Sequence, residues 1–441
     1  MEQPPPELFG NEPYVCPNYA AAEREKLWPR VWQHACRLEE IPEVGDYVTY
    51  DIGDDSILVV RSAPDRIAAF YNVCVHRGKR LAQGCGSVQE FRCSYHAWRY
   101  NLEGQCTFVL NPEDWGDRLT DDRLKIEHVQ VDTWGGWVWI NMDPEAGPLR
   151  EYLEPAASLL DPFELERMRY RWRMWCHFDC NWKVALEAFI EAYHVEGTHR
   201  QLMQDGDFHM WSKTRGLHAH NGFDELDPDK KQIAEANTIN RPGKGEDTRI
   251  STAALQRQIW DTTNTRTTLT LVEAAERLPL ELPEGTPAGE VIAHWLRSAK
   301  ADDAARGVHW PEVSAAQQAA AGSAWHIFPN MTIGHSITNA LIYRVRPLGR
   351  EAERCIFEAA VIELYPEGGE PATEWVHAPH TDAQAWPPVL LQDFDNMIEV
   401  QKGMKSRGFK GCIPSPRQEQ TVANLHRNLA AHIGRAPPAK L

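Results

Sequence analysis

Cys74-Val75-His76 and Cys93-Ser94-Tyr95-His96 each place a thiolate and an imidazole within one short stretch. Two thiolates can hold one iron of a binuclear iron–sulfur cluster while two imidazoles hold the other, which raises the potential above that of an all-cysteine cluster. The bland alternative is zinc, but short zinc spacers pair Cys with Cys and His with His, or use four cysteines. Here each spacer mixes the two types. Gly78, Gly84 and Gly86 let the backbone turn tightly around sulfur. A second metal-binding pattern follows downstream at His194 and His199. The chain reads as an electron store coupled to a place where electrons are spent.

The first pattern is that of a Rieske [2Fe–2S] centre held by Cys74, His76, Cys93 and His96. Respiratory Rieske proteins carry two further cysteines joined by a disulfide. Lys79 and Tyr95 stand at those positions, so that bridge cannot form. The run Tyr95-His96-Ala97-Trp98-Arg99-Tyr100 resembles instead the ferredoxin-like Rieske domain of aromatic-ring-hydroxylating oxygenases, with Ala97 in place of the usual Gly.

The second pattern lies in Asn181–His194. As a helix over 183–193, this stretch puts Glu187, Glu191 and His194 on one face, while Leu186, Phe189, Ile190 and Tyr193 turn toward a core. Past Gly197, His199 can converge on His194. Alone this is weak, because carboxylates on one helix face are usually its wet side. An upstream cluster changes the odds, since singly delivered electrons need a redox metal to receive them.

The stretch resembles the mononuclear-iron motif of Rieske oxygenases: Asn-Trp-Lys, then an acid, Tyr-His, and a second His. The resemblance runs from about residue 28 to 408 and implies that His194 and His199 ligate a non-heme Fe(II). The third ligand of such a 2-His-1-carboxylate set lies far away. Asp393, in Gln392-Asp393-Phe394-Asp395-Asn396-Met397, matches the family arrangement, with Asp395, readable as a helix N-cap, as runner-up. The resemblance makes Glu191 the bridge from His194 to His96 of a neighbouring subunit. Most ring hydroxylators use Asp there, and Glu is common in relatives acting on quaternary amines. Glu187 is a possible pocket wall, and Val195, Val389 and Leu390 are pocket candidates by closeness to the ligands.

The same resemblance implies dioxygen as co-substrate and NAD(P)H supplied through a reductase or ferredoxin. It implies a homotrimer, or α3β3 with a separate small subunit, acting on a small molecule. The reaction is dihydroxylation or monohydroxylation of an aromatic or related compound, or demethylation of a methyl ether or quaternary amine. An electron-transfer protein with a ligand-binding domain, and a zinc hydrolase bearing a β module, are the readings of other classes.

The elements that must position these groups are legible in part. Residues 18–36 read as an amphipathic helix with Leu27, Val31 and His34 in register. From Asp46 to Asn141 the period is that of strands: Tyr47, Thr49 and Asp51 alternate with Val48, Tyr50 and Ile52, and Gly135-Gly136 separates two halves of a hairpin. Residues 203–312, including Arg241-Pro242-Gly243-Lys244-Gly245, show no clear period. Strand-like runs return at Met331–Val345 and Cys355–Leu364, and a last helix is expected over Asp395–Ser406. The fold class is α+β: an N-terminal helical segment (1–40) packing on the catalytic domain, an all-β Rieske domain (41–150), and a helix-grip catalytic domain (151–441), its antiparallel sheet covered by helices.

Composition narrows the partners. A net charge of −17 argues against nucleic acid. No stretch has the apolar length of a membrane span and the start lacks a secretory signal, so a cytoplasmic protein is expected. Cys16, Cys36, Cys85, Cys106, Cys176, Cys180, Cys355 and Cys412 are expected reduced and buried. Arg77, Lys79, Arg80, Arg92 and Arg99 stand against the single acid Glu90. That basic collar either docks an acidic electron donor or offsets an anionic cluster.

Overall fold

The alternation in the first half becomes the strand Asp46–Ile52, which buries Val48, Tyr50 and Ile52 and leaves Asp51 to solvent. It pairs antiparallel with Asp55–Ala63, which pairs with Arg66–Tyr71, and its other edge takes Cys85–Ser87. A small sheet of Phe91–Arg92, Arg99–Tyr100 and Cys106–Phe108 follows. Gln130–Trp134 and Trp137–Asn141 form the expected hairpin across Gly135 and Gly136. The computed structural model describes residues 7–206, 209–225, 234–235 and 243–440, so Arg241 and Pro242 lie outside the described residues. Ala21–Tyr152 forms one unit, and Met1–Ala20 with Leu153–Leu441 forms another.

The helix expected over 18–36 is shorter. It runs Pro17–Lys26, and Gln33–Arg37 is a fully buried strand against Trp137–Asn141. Pro29 lacks the N–H that a continuing helix needs, and a free sheet edge takes up the chain that follows. Leu27, Val31 and His34 are buried, but not on a helix. A second correction concerns Cys85, which is exposed on its edge strand; Cys16 and Cys412 are half-buried and the other five of that group are buried, and none of the ten cysteines is in a disulfide.

The larger unit is built on a sheet in which Met210–Arg215, His218–Glu225, Ala324–Ile327, Met331–His335, Asn339–Pro347, Cys355–Glu363 and Arg169–Phe178 follow one another antiparallel. The run read as 331–345 is thus a hairpin. The helix Trp182–Ile190 lies on this sheet, Gln420–Ile433 covers its first two strands, and Pro388–Met404 packs on Trp182–Ile190. Among the described residues, the aperiodic region carries the helices Thr248–Thr263, Leu269–Glu281 and Ala288–Ala305. They pack on one another, so apolar residues are needed on more than one face and the simple period is lost. The last helix begins seven residues before the expected Asp395, because Pro388 occupies its first turn, where a missing N–H costs nothing. Asp395 is therefore an exposed interior residue of the helix and not its N-cap.

Candidate functional site

The two Cys–His loops have the same backbone. In the first, the Cys74 N–H donates to the Lys79 carbonyl at 2.8 Å and the Gly78 N–H to the Cys74 carbonyl at 2.9 Å. In the second, the Cys93 N–H donates to the Trp98 carbonyl at 2.8 Å and the Ala97 N–H to the Cys93 carbonyl at 3.0 Å. The residue closing each turn is left-handed, with φ of 76° at Gly78 and 58° at Ala97. Glycine adopts that conformation freely, whereas an L side chain there costs roughly 1–2 kcal/mol.

This twinning presents the four groups together. The Cys74 and Cys93 thiols are buried in the small unit's core, while the His76 and His96 rings are partly exposed with centroids 4.4 Å apart. Trp98 stacks on His76 at 4.7 Å, and the Tyr100 hydroxyl lies 3.1 Å from Cys74 Sγ. Burial, partly offset by the Tyr100 hydroxyl and the His76 backbone N–H, holds the Cys74 thiol above its ordinary pKa. His96 Nδ1 is buried with no hydrogen-bond partner. Two buried thiols and an orphaned imidazole nitrogen suit a cluster of the Rieske type.

The second set is assembled from distant chain. The helix Trp182–Ile190 starts at Asn181, whose side chain caps it by accepting the Lys183 N–H at 3.0 Å, and it ends at Ile190. Glu191 is extended, and its carboxylate accepts the backbone N–H groups of Tyr193 and His194. A side chain that bonds backbone donors two and three residues on offers an alternative to the helix, and a new turn starts there, Val195–Thr198. Glu187, Glu191 and His194 therefore do not share one helix face, and Tyr193, expected to face a core, is exposed.

His194, His199 and Asp393 meet. Their ligand atoms lie within 4.8 Å of one another. Asp393 Oδ1 is 3.0 Å from His199 Nε2 and 3.4 Å from His194 Nε2. The far nitrogens are also engaged: His194 Nδ1 is 2.5 Å from Glu191 Oε1, and His199 Nδ1 is 2.8 Å from Gln392 Oε1. Such partners fix ring orientation and leave each Nε2 free for a metal. Burial alone would push the His194 imidazole down, but the Glu191 charge, with Asp393, outweighs it and holds the pKa at about 10. Burial likewise opposes the Asp393 carboxylate, yet the two imidazoles leave its pKa below the ordinary value. Two imidazoles and one carboxylate suit a redox iron with open positions.

A cavity of about 240 Å³ opens on this group, lined by Phe189, Phe223, Leu341, Tyr343 and Arg266, with Val195, Val389 and Leu390 also on its wall. Glu187 is not on it. That carboxylate lines a second cavity of about 320 Å³ and lies 2.6 Å from His426 Nε2 and 2.9 Å from the Tyr14 hydroxyl.

The catalytic-domain family of the ring hydroxylating alpha subunit matches residues 165–435, and the Rieske [2Fe–2S] domain family matches residues 31–114. The chain belongs to the ring-hydroxylating alpha-subunit family. Its members are Rieske oxygenases, so the chain is an oxidoreductase, a terminal oxygenase that uses dioxygen with a [2Fe–2S] cluster and a mononuclear iron. A glycine betaine monooxygenase oxygenase subunit from Chromohalobacter salexigens is 24% identical over 92% of this chain and 80% of that one. The fold matches a quaternary ammonium Rieske monooxygenase in complex with L-carnitine, with a TM-score of 0.63 at 17% identity, covering 97% of this chain and 95% of that one. It also matches naphthalene 1,2-dioxygenase with indole bound, with a TM-score of 0.64 at 18% identity, covering 97% and 92%.

Sequence reasoning missed Gln392, although it stood in the motif next to Asp393, and it missed Tyr14, His426 and Arg266. The first could have been found by asking what orients His199. The others carry no local signal, because their partners lie on distant elements. No helix among the described residues is long and apolar enough to cross a membrane.

Proposed function

We propose that this terminal oxygenase oxidises an N-methyl group of a quaternary amine. The observation that carries the reading is the continuous match to a glycine betaine monooxygenase subunit, over 92% of this chain and 80% of that one. Glu191 supports it, standing where most ring hydroxylators have Asp. The aromatic faces of Phe189, Phe223 and Tyr343 on the cavity wall can attract a cationic ammonium. The reaction takes one oxygen atom into the methyl C–H bond and the other into water, consuming two electrons and two protons. The hydroxymethyl ammonium then loses formaldehyde and a proton to leave the tertiary amine.

In this reading His194, His199 and Asp393 hold the mononuclear iron, and Cys74, His76, Cys93 and His96 hold the cluster. When bound, the iron supplies oxygen activation and the cluster supplies electrons. The chain's residues do the rest. Asp393 contributes the single negative charge of the ligand set. Glu191 and Gln392 hold the two imidazoles in orientation through Nδ1. Glu191 also joins His194 to His96 of a neighbouring subunit, which makes the assembly a trimer, alone or with a small subunit. Residues 41–150 serve as the electron-storing domain and 151–441 as the oxygenating one. A reductase fed by NAD(P)H, directly or through a ferredoxin, supplies the electrons. Arg77, Lys79 and Arg92 are exposed beside the cluster loops and suit an acidic donor, so raising salt slows reduction.

A second reading, ring hydroxylation of an aromatic compound, is favoured by the apolar part of the cavity wall. Incubating reduced enzyme with dioxygen and a panel of betaines, methyl ethers and aromatic compounds separates the two by product mass. Loss of a methyl group with release of formaldehyde supports the proposal. Products carrying one or two added oxygens on a ring, with the betaines untouched, would replace it with the second reading.

A further inference from the structure

Arg266 is set apart from the other shielded arginines of this chain. Arg37, Arg249 and Arg344 are buried, and each has a carboxylate: Glu39 at 2.8 Å, Asp247 at 2.6 Å, and Glu358. Arg171 has Glu363 at 2.8 Å. Arg266 lines the cavity beside His194, His199 and Asp393, and no ion pair or hydrogen bond engages its guanidinium among the described residues. Burial pulls its pKa down to about 10, so it stays charged near neutrality. Among the described residues, the titratable groups whose electrostatics couple directly to it include Tyr343 and His335, while Asp393, held by the two imidazoles, lies on the same cavity. Burial pushes Tyr343 up and His335 down to about 3, so neither of these two carries a charge there.

Its position is built. Arg266 sits on the connection between the helices Thr248–Thr263 and Leu269–Glu281, with a left-handed φ of 58° that is unfavourable for a branched-off side chain of any size. Its Nη1 reaches Gly334, where a Cβ would lie only 2.3 Å away, so glycine is what leaves room for the guanidinium. The Tyr343 hydroxyl senses both Asp393 and Arg266, which places the carboxylate of the metal set and this cation around one ring. A shielded charge without a counter-charge is costly unless something pairs with it, and the open side of this one is the cavity.

We propose that Arg266 docks a carboxylate of the substrate, so that the molecules oxidised here are organic acids. The acid end is held at Arg266 while the carbon to be oxidised faces His194, His199 and Asp393. The inference rests on the reading above that this cavity receives the substrate. It applies equally to an ammonium acid and to an aromatic acid, because the guanidinium recognises the group they share, with two parallel N–H donors matching two oxygens.

The test is equilibrium binding to the fully loaded enzyme with its cluster oxidised, so that no turnover occurs. Glycine betaine is titrated against choline, and benzoate against benzamide; each pair keeps its body and exchanges the carboxylate. The wild type is expected to prefer at least one acid over its uncharged-end counterpart by about 10- to 100-fold, the range of a hydrogen-bonded charge. Arg266→Gln abolishes that preference without weakening choline or benzamide, and Arg266→Lys restores part of it. Iron content and the cluster absorption of both variants serve as the check on folding. The proposal is overturned if neither acid outbinds its counterpart, or if the preference survives in R266Q. Oxygen insertion is measured separately on the same preparations. A wild type that prefers acids but leaves N-methyl groups intact contradicts only the proposed reaction.

Discussion

The cluster cradle and the three-residue metal set solve the same problem, holding a metal, by opposite means. The cradle is made twice from one short loop design, with the cysteine, the carbonyl it donates to and the left-handed closing residue all within a few positions. The metal set takes two histidines from a helix break and its acid from a helix about two hundred residues further on, and it needs the packing of Trp182–Ile190 against Pro388–Met404 to exist. Local construction makes a site that tolerates changes elsewhere. Construction by packing ties the site's integrity to the fold of the whole larger unit.

The sharpest break of that contrast is Cys93→Ser. It is expected to abolish the visible absorption of the cluster while leaving metal binding at His194, His199 and Asp393 intact, as read by metal analysis of the purified protein. Next in size are the groups behind the imidazoles. Glu191→Gln and Gln392→Leu should each lower iron affinity or turnover about 10- to 100-fold, typical for partners of ligating histidines. Measuring both iron content and rate separates them: loss of rate at full iron content is expected for Glu191 alone, on the proposal above that it also joins His194 to a neighbouring subunit.

Acid should distinguish the two regions as well. His220, His326 and His335 are buried in the larger unit, where burial depresses their pKa values to about 4, about 4 and about 3. Their folded pKa values lie below the unfolded value near 6.5, so the stability they allow is full above pH 6.5 and falls as pH drops toward 4. Each contributes a slope of about 1.4 kcal/mol per pH unit in that window. Tryptophan fluorescence of protein with both sites loaded should therefore report unfolding of the larger unit at mildly acid pH. An acid profile flat down to pH 4 would remove these histidines from the account. The smallest effect is in the cradle: Ala97→Gly relieves the left-handed alanine and should stabilise the small unit by about 1 kcal/mol, seen as a rise in its melting midpoint.

What could be read from the chain follows the same division. Cys74, His76, Cys93 and His96 were legible because their geometry is set by neighbours in sequence. So were the alternating strand Asp46–Ile52 and the hairpin across Gly135 and Gly136. His194 and His199 were legible as types, but not the break at Glu191, because a carboxylate that bonds its own backbone looks in sequence like one more residue of an amphipathic helix. The last helix starts seven residues before the expected Asp395, at Pro388, because a proline fits a helix's first turn as well as it ends a helix, and sequence alone does not tell the two apart. Arg266 was invisible for a different reason. Its distinction is the absence of a partner among the described residues, and a partner can be missed only once the fold has brought the candidates into place.

Oxygen insertion requires one metal held by His194, His199 and Asp393 in addition to the cluster, on the proposal above. Iron per chain, measured on reconstituted wild type, Asp393→Ala and Asp395→Ala together with oxygen insertion, tests it most directly. Three irons in the wild type and in D395A, with two irons and no product in D393A, is the expected result. A D393A protein that retains its third iron and its product would contradict it.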